Sequence, residues 1–436
     1  MKKLLKKIIP SFLMNWYHFI LALLAALIYK FPSRKLKVIG VTGTNGKSTV
    51  VHLITQVLER SGYSVASASS IEFKVKNMVW ENDLKMTMPG RFKLQKFLHQ
   101  AVQNDCQYVV LEVTSEGIKQ NRHQFIDFDS AVLTNLTKEH LESHQGFDNY
   151  KKAKAKLFKS LKSKGKSIVN LDDSYAEYFL QFPAEEKWTY SIDNQKQTKN
   201  NVNGLSFSSN QNGISFKVQN EQFNLNLFGK FNMYNALAAI VVGITEGISL
   251  DKIKSALEEA KGIPGRLEIV IKEPYTVIVD YAHTPDALEK VYQTVKGISQ
   301  GLPNSETSKI IGVLGAAGGG RDKWKRSEFG KIAEKYLDQI IITNEDPYDE
   351  DPQEIIDQVA QGIKNKQIEK IIDRRKAIHQ ALKSAQDGDL VIITGKGCEP
   401  WMCVANDKKI PWDDREIVKE EFEKRSIRSD LSSETF

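Results

Sequence analysis

A glycine-rich turn set between a strand and a helix constrains this chain more than any other feature. The apolar run Lys37-Val38-Ile39 leads into GVTGTNGKST at 40–49, and VVHLITQVLER at 50–60 follows with the apolar spacing of an amphipathic helix. A turn placed there bares backbone N–H groups at a helix N-terminus, where the peptide dipoles add positive potential. Lys47 carries that potential toward the outer phosphates of a nucleotide, and Ser48 offers a hydroxyl to Mg²⁺. The strict pattern calls for Gly where Val41 stands, so the loop is a variant with Gly43 inside it. The segment reads as a site for a nucleoside triphosphate. It also sets the fold class, because strand–loop–helix units of this kind build parallel α/β sheets.

The rest of the chain fits that class. Strands and helical stretches alternate beyond Pro32. Buried-strand patterns at 108–113, 131–134 and 167–170 each end in polar residues, at the sheet edge where α/β folds bind ligands. Between about 186 and 230 the text changes to short alternating runs such as Gly213-Ile214-Ser215-Phe216-Lys217-Val218, which predicts a small antiparallel sheet, and a helix follows over 232–245. Residues 261–266, Lys-Gly-Ile-Pro-Gly-Arg, read as a hinge. A second α/β pattern then starts, with strands at 276–280, 309–314, 339–343 and 390–394. The expected architecture is α/β: an apolar helix within 1–35, a P-loop central domain with a small antiparallel sheet over 36–266, a Rossmann-like C-terminal domain over 267–426, and a disordered polar tail over 427–436.

The net charge of +7 has a local origin. Lys2, Lys3, Lys6, Lys7, Lys30, Arg34 and Lys35 face no acid within the first 35 residues, while the remainder balances at 54 basic against 54 acidic side chains. A basic face for nucleic acid is therefore not expected. The uncharged run over 12–29 would make a helix roughly 27 Å long, a little short of a hydrocarbon core of about 30 Å. Trp16 and Tyr17 suit an interface, and the lysines before Pro10 suit anionic headgroups. The segment reads as a membrane anchor, spanning or interfacial, that holds the protein at the cytoplasmic face of the cell membrane; the competing reading is a helix packed against the body. Cys106, Cys398 and Cys403 form no Cys-x-x-Cys pair and no zinc spacing, in keeping with a reduced, cytoplasmic setting.

Several clusters carry chemistry. Glu112 ends a strand beside the phosphate loop, where a carboxylate can hold Mg²⁺. His140 and His144 stand one helical turn apart, a spacing that structural pairs share. The run 149–158 is a lysine-rich helix whose spacing does not single out Lys154. Asp280-Tyr281-Ala282-His283-Thr284-Pro285 closes a strand, with Thr284 and Pro285 as N-cap and first helical residue. Three loops, 318–323, 344–347 and 395–399, follow strands of the last domain, and their glycines, acids and bases suit a zwitterion.

Together these motifs resemble the Mur ligases, ATP-dependent enzymes that add amino acids to the peptidoglycan stem peptide, and among them the members that add the third residue. The resemblance spans about 36–420, and VDYAHTPDALEK at 279–290, TNLTKEHLESH at 134–144 and FNMYNALAA at 231–239 carry it. It implies that Gly43, Thr44, Asn45, Gly46, Lys47, Ser48 and Thr49 hold ATP phosphates, with Asn232, Asn235, Arg266, Asp280 and His283 as further nucleotide contacts. Ser48, Glu112 and His140 would hold magnesium, and Lys154 matches a carbamoylated lysine that supports a second metal. Thr87, Met88, Pro89, Ser115 and Arg122 match positions that meet the muramoyl peptide; Arg321, Asp346, Gly395 and Glu399 match the pocket for the incoming amino acid. The implied reaction forms an acyl phosphate from ATP and a carboxylate, which the amino acid then attacks; Lys47, Glu112, His140 and Lys154 are its expected catalytic groups.

The chain departs from the family pattern twice. The usual N-terminal domain that grips uridine diphosphate has no counterpart before Gly40, which leaves the acceptor open between a UDP-linked and a lipid-linked muramoyl peptide, the latter joined to an amino acid or amidated. Tyr348 stands where members specific for diaminopimelate carry Arg, which points away from that amino acid. A relative that amidates lipid-linked precursor carries a cysteine-rich zinc ribbon, for which this chain lacks the cysteines, and folate polyglutamylation fits the 280–288 and 395–399 motifs poorly. The reading from another class is a non-catalytic nucleotide-binding scaffold of a cell-wall complex.

Overall fold

The computed structural model describes residues 11–433, apart from 85, 194, 196–197, 211 and 302–307. Among the described residues the chain forms two large sheets, each packed on both faces. The first contains β1 (Lys37–Thr42), β2 (Val65–Ala68), β3 (Glu72–Val75), β4 (Met78–Glu81), β5 (Tyr108–Glu112), β6 (Phe128–Leu133), β7 (Leu161–Asn170), β8 (Glu186–Ser191), β9 (Asn201–Asn210), β10 (Gly213–Val218) and β11 (Glu221–Leu225). Their order is β11-β10-β9-β8-β7-β6-β1-β5-β2-β3-β4, with the phosphate-loop strand near the middle. Side chains alternate across the central strands: Ile39, Val41 and Val110 join the core beneath helices Lys47–Arg60 and Lys230–Thr245, while Val38, Val109 and Leu111 face the opposite core beneath Arg91–Gln103 and Phe147–Lys159. Helix Lys230–Thr245 is apolar nearly all round because the sheet and helix Lys47–Arg60 cover it from two sides.

The expected small antiparallel sheet is present and is continuous with the central sheet. β9, β10 and β11 do pair antiparallel, but β8 pairs parallel with β7 and β9 parallel with β8, so they extend the central sheet. Local alternation reveals a half-buried strand and says nothing of the long-range partner. Here that partner is the otherwise open edge of β7.

The second sheet contains β12 (Glu268–Ile271), β13 (Thr276–Asp280), β14 (Ile310–Leu314), β15 (Gln339–Thr343), β16 (Ile368–Ile371) and β17 (Leu390–Thr394), in the order β12-β13-β17-β14-β15-β16. All pairs are parallel except β12–β13, which folds back directly after residues 261–266. The loops leaving β13, β14, β15 and β17 therefore share one edge, and that edge faces the phosphate loop. A hairpin, β18 (Trp401–Val404) with β19 (Lys408–Pro411), precedes the last helix, Asp414–Ser433. That helix runs through 427–433, part of the tail expected to be disordered; 434–436 lie outside the described residues.

The N-terminal helix spans Ser11–Ile28 and lies on helix Arg91–Gln103. Ala22, Ala25 and Ala26 are buried there, Asn121 Nδ2 donates to Asn15 Oδ1 at 2.8 Å, and Phe19 meets Phe125 with ring centres 5.1 Å apart. Among the described residues no helix is long and apolar enough to cross a membrane. The spanning form of the expected anchor is thus corrected: one face of this helix is committed to protein. Residues 1–10 lie outside the described residues.

Candidate active site

The phosphate loop is built by close approach. Gly46 has φ +81°, in the left-handed region, and a Cβ there would strike Asn235 Oδ1; a Cβ at Gly43 would strike Thr134 Oγ1. The segment after β6 holds the loop from behind: Thr44 N donates to Asn135 O at 2.9 Å, Asn45 N to Asn135 Oδ1 at 2.9 Å, and Thr134 Oγ1 to Asn45 O at 2.7 Å. Lys47 Nζ folds back onto Thr44 O at 2.7 Å and lies 3.9 Å from Glu112 Oε1. Ser48 Oγ and Ser70 N both donate to Glu112 Oε2, at 2.8 and 2.9 Å, which leaves Oε1 turned toward Lys47. Burial lowers the Lys47 pKa, and the Glu112 charge partly opposes that shift.

Two further groups close the floor. Lys154 is buried, donates to Gly43 O at 2.6 Å and stacks over Tyr150 at 4.6 Å. Burial first, and then the charge of Lys47, push its amine pKa well down, toward the neutral form. His140 has φ +55°, and its ring centre lies 6.1 Å from that of Tyr150 and 6.4 Å from that of His144. Burial and then Arg321 push its pKa to about 3, so the imidazole is neutral at neutral pH. His144 turns away toward Glu116, 3.2 Å off.

The second sheet completes the site. A cavity of about 730 Å³ joins the two sheet edges, with Lys47, Ser48, Glu112 and Lys154 on one side and His283 and Arg321 on the other. Every expected nucleotide-binding residue from Gly43 to Thr49 lines it, as do Asn232, Asn235, Arg266 and Asp280. Asn235 Nδ2 donates to Asn232 Oδ1 at 2.8 Å, and Asn232 Nδ2 to Phe228 O at 2.7 Å, which fixes this pair beside Gly46. Asp280 spends both oxygens on backbone, accepting Leu267 N at 2.7 Å and Ala282 N at 2.6 Å, so it ties the residue before β12 to the turn after β13. Arg266 stacks over Tyr281 at 4.2 Å, and His283 Nδ1 sits 3.0 Å from Tyr281 O.

Direct bonds span the two halves. Asn45 Nδ2 donates to Asp286 Oδ2 at 2.8 Å, and Thr284 Oγ1, the cap of its helix, donates to Asn45 Oδ1 at 3.2 Å. The Asp322 carboxylate accepts Leu141 N and Glu142 N, each at 3.0 Å, directly beside His140. Lys325, buried, reaches Glu139 Oε1 at 3.3 Å and His283 O at 3.1 Å.

The expected acceptor and amino-acid positions divide. Thr87 and Ser115 line the large cavity, whereas Met88, Pro89 and Arg122 lie outside its lining. Arg122 is a brace there, with Nη1 on Met88 O and Nη2 on Gln120 Oε1 at 2.8 Å. Arg321 faces the large cavity, while Asp346, Gly395 and Glu399 gather apart from it around Lys396. The Lys396 ammonium bonds both Asp346 oxygens at 3.0 Å and Glu399 Oε2. Tyr281 OH donates to Glu399 Oε1 at 2.8 Å, and both residues line an adjoining cavity of about 240 Å³. Glu139, Lys325, Lys396, Asn135, Asp286 and Asp322 are site residues that the sequence reading missed. All lie within or next to motifs it singled out, and their partners, distant in the chain except for Lys396 with Glu399, have no counterpart in local spacing.

Among the described residues no three His, Cys, Asp or Glu side chains gather as a metal cage. The donors present suit a hard cation that keeps phosphate oxygens and water in its shell: the Ser48 hydroxyl, the open Glu112 Oε1 and a neutral His140 ring.

Comparison with known proteins agrees with this geometry. The chain matches the model of the Mur ligase middle domain over residues 41–243 and that of the Mur ligase, glutamate ligase domain over 265–397. It is 36% identical over 405 residues to UDP-N-acetylmuramoyl-L-alanyl-D-glutamate–2,6-diaminopimelate ligase 1 of Clostridium acetobutylicum, covering 92% of this chain and 81% of that protein. It is 38% identical to the corresponding ligase of Aquifex aeolicus, covering 89% and 78%. A solved structure of a UDP-N-acetylmuramoyl-L-alanyl-D-glutamate–2,6-diaminopimelate ligase superposes with a TM-score of 0.60 at 29% identity, over 90% of this chain and 79% of that one. MurF ligase from Thermotoga maritima in complex with ADP shares the fold, with a TM-score of 0.65 at 18% identity over 92% and 83%. With a phosphate loop facing a second α/β edge across one cavity, and relatives above 30% identity along nearly its whole length, the chain belongs to the Mur ligase family of ATP-dependent amide-bond-forming ligases.

Proposed function

We propose that this ligase joins an amino acid to the terminal carboxylate of a muramoyl peptide during cytoplasmic assembly of peptidoglycan precursor. The single observation that carries the reading is the cavity that sets Lys47, Ser48 and Glu112 opposite His283 and Arg321, with the amino-acid loops beside it. The chain works as two lobes, divided at 266. The acceptor carboxylate attacks the γ-phosphorus of ATP, the bond to the β-phosphate oxygen breaks, and ADP leaves an acyl phosphate. The amino group then attacks the acyl carbon, the C–O bond breaks, and phosphate departs with the proton that the amine sheds. Lys47 offsets repulsion between carboxylate and triphosphate, and the loop N–H groups align the phosphates. Ser48, Glu112 and His140 would hold magnesium, which would supply further neutralisation of phosphate charge. Burial biases the Lys154 amine toward its neutral form, and that form would add carbon dioxide to give a proton and a carbamate, whose new carboxylate would support a second metal.

The relatives' names give diaminopimelate as the amino acid. In this chain Tyr348 packs against Gly319 and offers no forked donors for a second carboxylate, which favours an amino acid without one at that place. A lipid-linked acceptor is the second reading, favoured by the N-terminal helix, whose Asn15 bonds to Asn121, the neighbour of Arg122.

Phosphate release and product mass, measured over a panel of amino acids with UDP-linked and lipid-linked muramoyl dipeptides in the presence of Mg²⁺ and bicarbonate, test the proposal. Release is expected only when acceptor and amino acid are both present. Absence of coupled release across the panel overturns the ligase reading, and turnover of the lipid-linked acceptor alone selects the second.

A further inference from the structure

The N-terminal helix is packed inside out for a surface helix in water. Its small residues, Ala22, Ala25 and Ala26, face the protein, while Leu13, Trp16, Tyr17, Ile20, Leu24, Leu27 and Ile28 face outward, each between 45% and 62% exposed. At the 100° advance per residue of an α-helix, these seven fall within an arc of about 120°. The outward stripe is continuous over the length of the helix, and 11–29 contain no charged residue. A patch of this kind marks an interaction surface rather than scattered surface apolarity.

Charge identifies the partner. In the sequence the stripe is preceded by Lys2, Lys3, Lys6 and Lys7 and followed by Lys30, Arg34 and Lys35, with no acid in the first 35 residues. Lys30, Arg34 and Lys35 are exposed. Trp16 and Tyr17 add amphipathic rings of the kind that settle at headgroup depth. We propose that this face seats on an anionic lipid bilayer with the helix axis in the membrane plane. The inner face fixes that orientation: Asn121 on Asn15, Phe125 on Phe19 and the His99 ring 5.7 Å from Tyr29 hold the helix to the body, so lipid can reach it from one side only. Large apolar residues outward, basic residues at both ends and protein behind are the features of an interfacial helix. The docking does not rest on the ligase reading. It does set the edge that carries Asn121 and Arg122 close to the bilayer.

The test is flotation of the full chain with vesicles of phosphatidylcholine alone and with vesicles one-third phosphatidylglycerol. Binding to the anionic vesicles is expected to be at least about tenfold stronger and to weaken with salt. The variant Ile20→Ser/Leu24→Ser/Leu27→Ser, whose folding is checked by retained ADP binding, is expected to lose it. Lys30→Gln/Lys35→Gln is expected to lose the anionic preference more than the residual binding. Failure of the full chain to float, or equal flotation by the serine variant, overturns the proposal. So does a stable dimer by sedimentation equilibrium that the serine variant abolishes while vesicles go unbound, because the face then belongs to a second copy. Resistance of bound protein to alkaline carbonate extraction overturns the in-plane orientation.

Discussion

Lys154 shows what a single side chain can and cannot say in advance. In the sequence it is one lysine of a basic run; in the fold it is buried, with its amine on Gly43 O and over the Tyr150 ring. Only the resemblance marked it, because burial of one lysine among several is decided by tertiary packing. Lys154→Ala is expected to cut ligase activity by about 100-fold, the upper range for losing support of a metal site, with partial recovery in millimolar short carboxylates. Steady-state kinetics with and without acetate check this, and an unchanged rate removes Lys154 from the reaction. Glu345 makes a second case. It is buried beside Asp346, and burial first and that neighbour second push its pKa up to about 7 from an ordinary 4.5. The folded state therefore holds a proton that the unfolded chain has released, and stability falls as pH rises from 4.5 to 7. Glu345→Gln, neutral throughout, is expected to match the native protein near pH 4.5 and to exceed it by up to about 3 kcal/mol at pH 8, as read by urea denaturation at the two pH values.

At the scale of elements, strand patterns translated almost residue for residue where a strand is buried on both faces. The expectations 276–280, 339–343 and 390–394 coincide with β13, β15 and β17. No strand pattern marks the edge strands β12 and β16, which are short and half-buried, and the continuity of β8–β11 with the central sheet is invisible locally because register is a long-range property. The polar tail, expected to be disordered, continues through Ser433 a helix that starts at Asp414. That helix is tied in by an ion pair no pattern reveals: Arg374 Nε and Nη2 reach Asp414 at 2.8 and 2.6 Å, with both side chains fully buried, and Nη2 also donates to Thr394 O at 2.9 Å. Arg374→Met strands the Asp414 carboxylate and is expected to cost about 3–5 kcal/mol of unfolding free energy. A denaturation midpoint close to the native one would show that the pair contributes little beyond a hydrophobic substitute.

For the molecule as a whole, two successive α/β sheets were legible from the alternation of strand and helix patterns along the sequence. The way the halves meet was not: Asn45 with Asp286 and Thr284, and Asp322 with Leu141 and Glu142, join residues far apart in the chain. The Asn45 contacts make a residue of the phosphate loop also part of the joint between lobes. A ligand that fills the loop and shifts Asn45 is therefore expected to alter the contacts between the halves, and a change in those contacts to alter the loop. In the language of linkage, a nucleotide that strengthens amino-acid binding by some factor must itself be held more tightly by that same factor when the amino acid is present. Asn45→Ala is expected to drive that factor toward one. Titration calorimetry of each ligand with and without the other would show the two sites becoming strangers, even where each still binds.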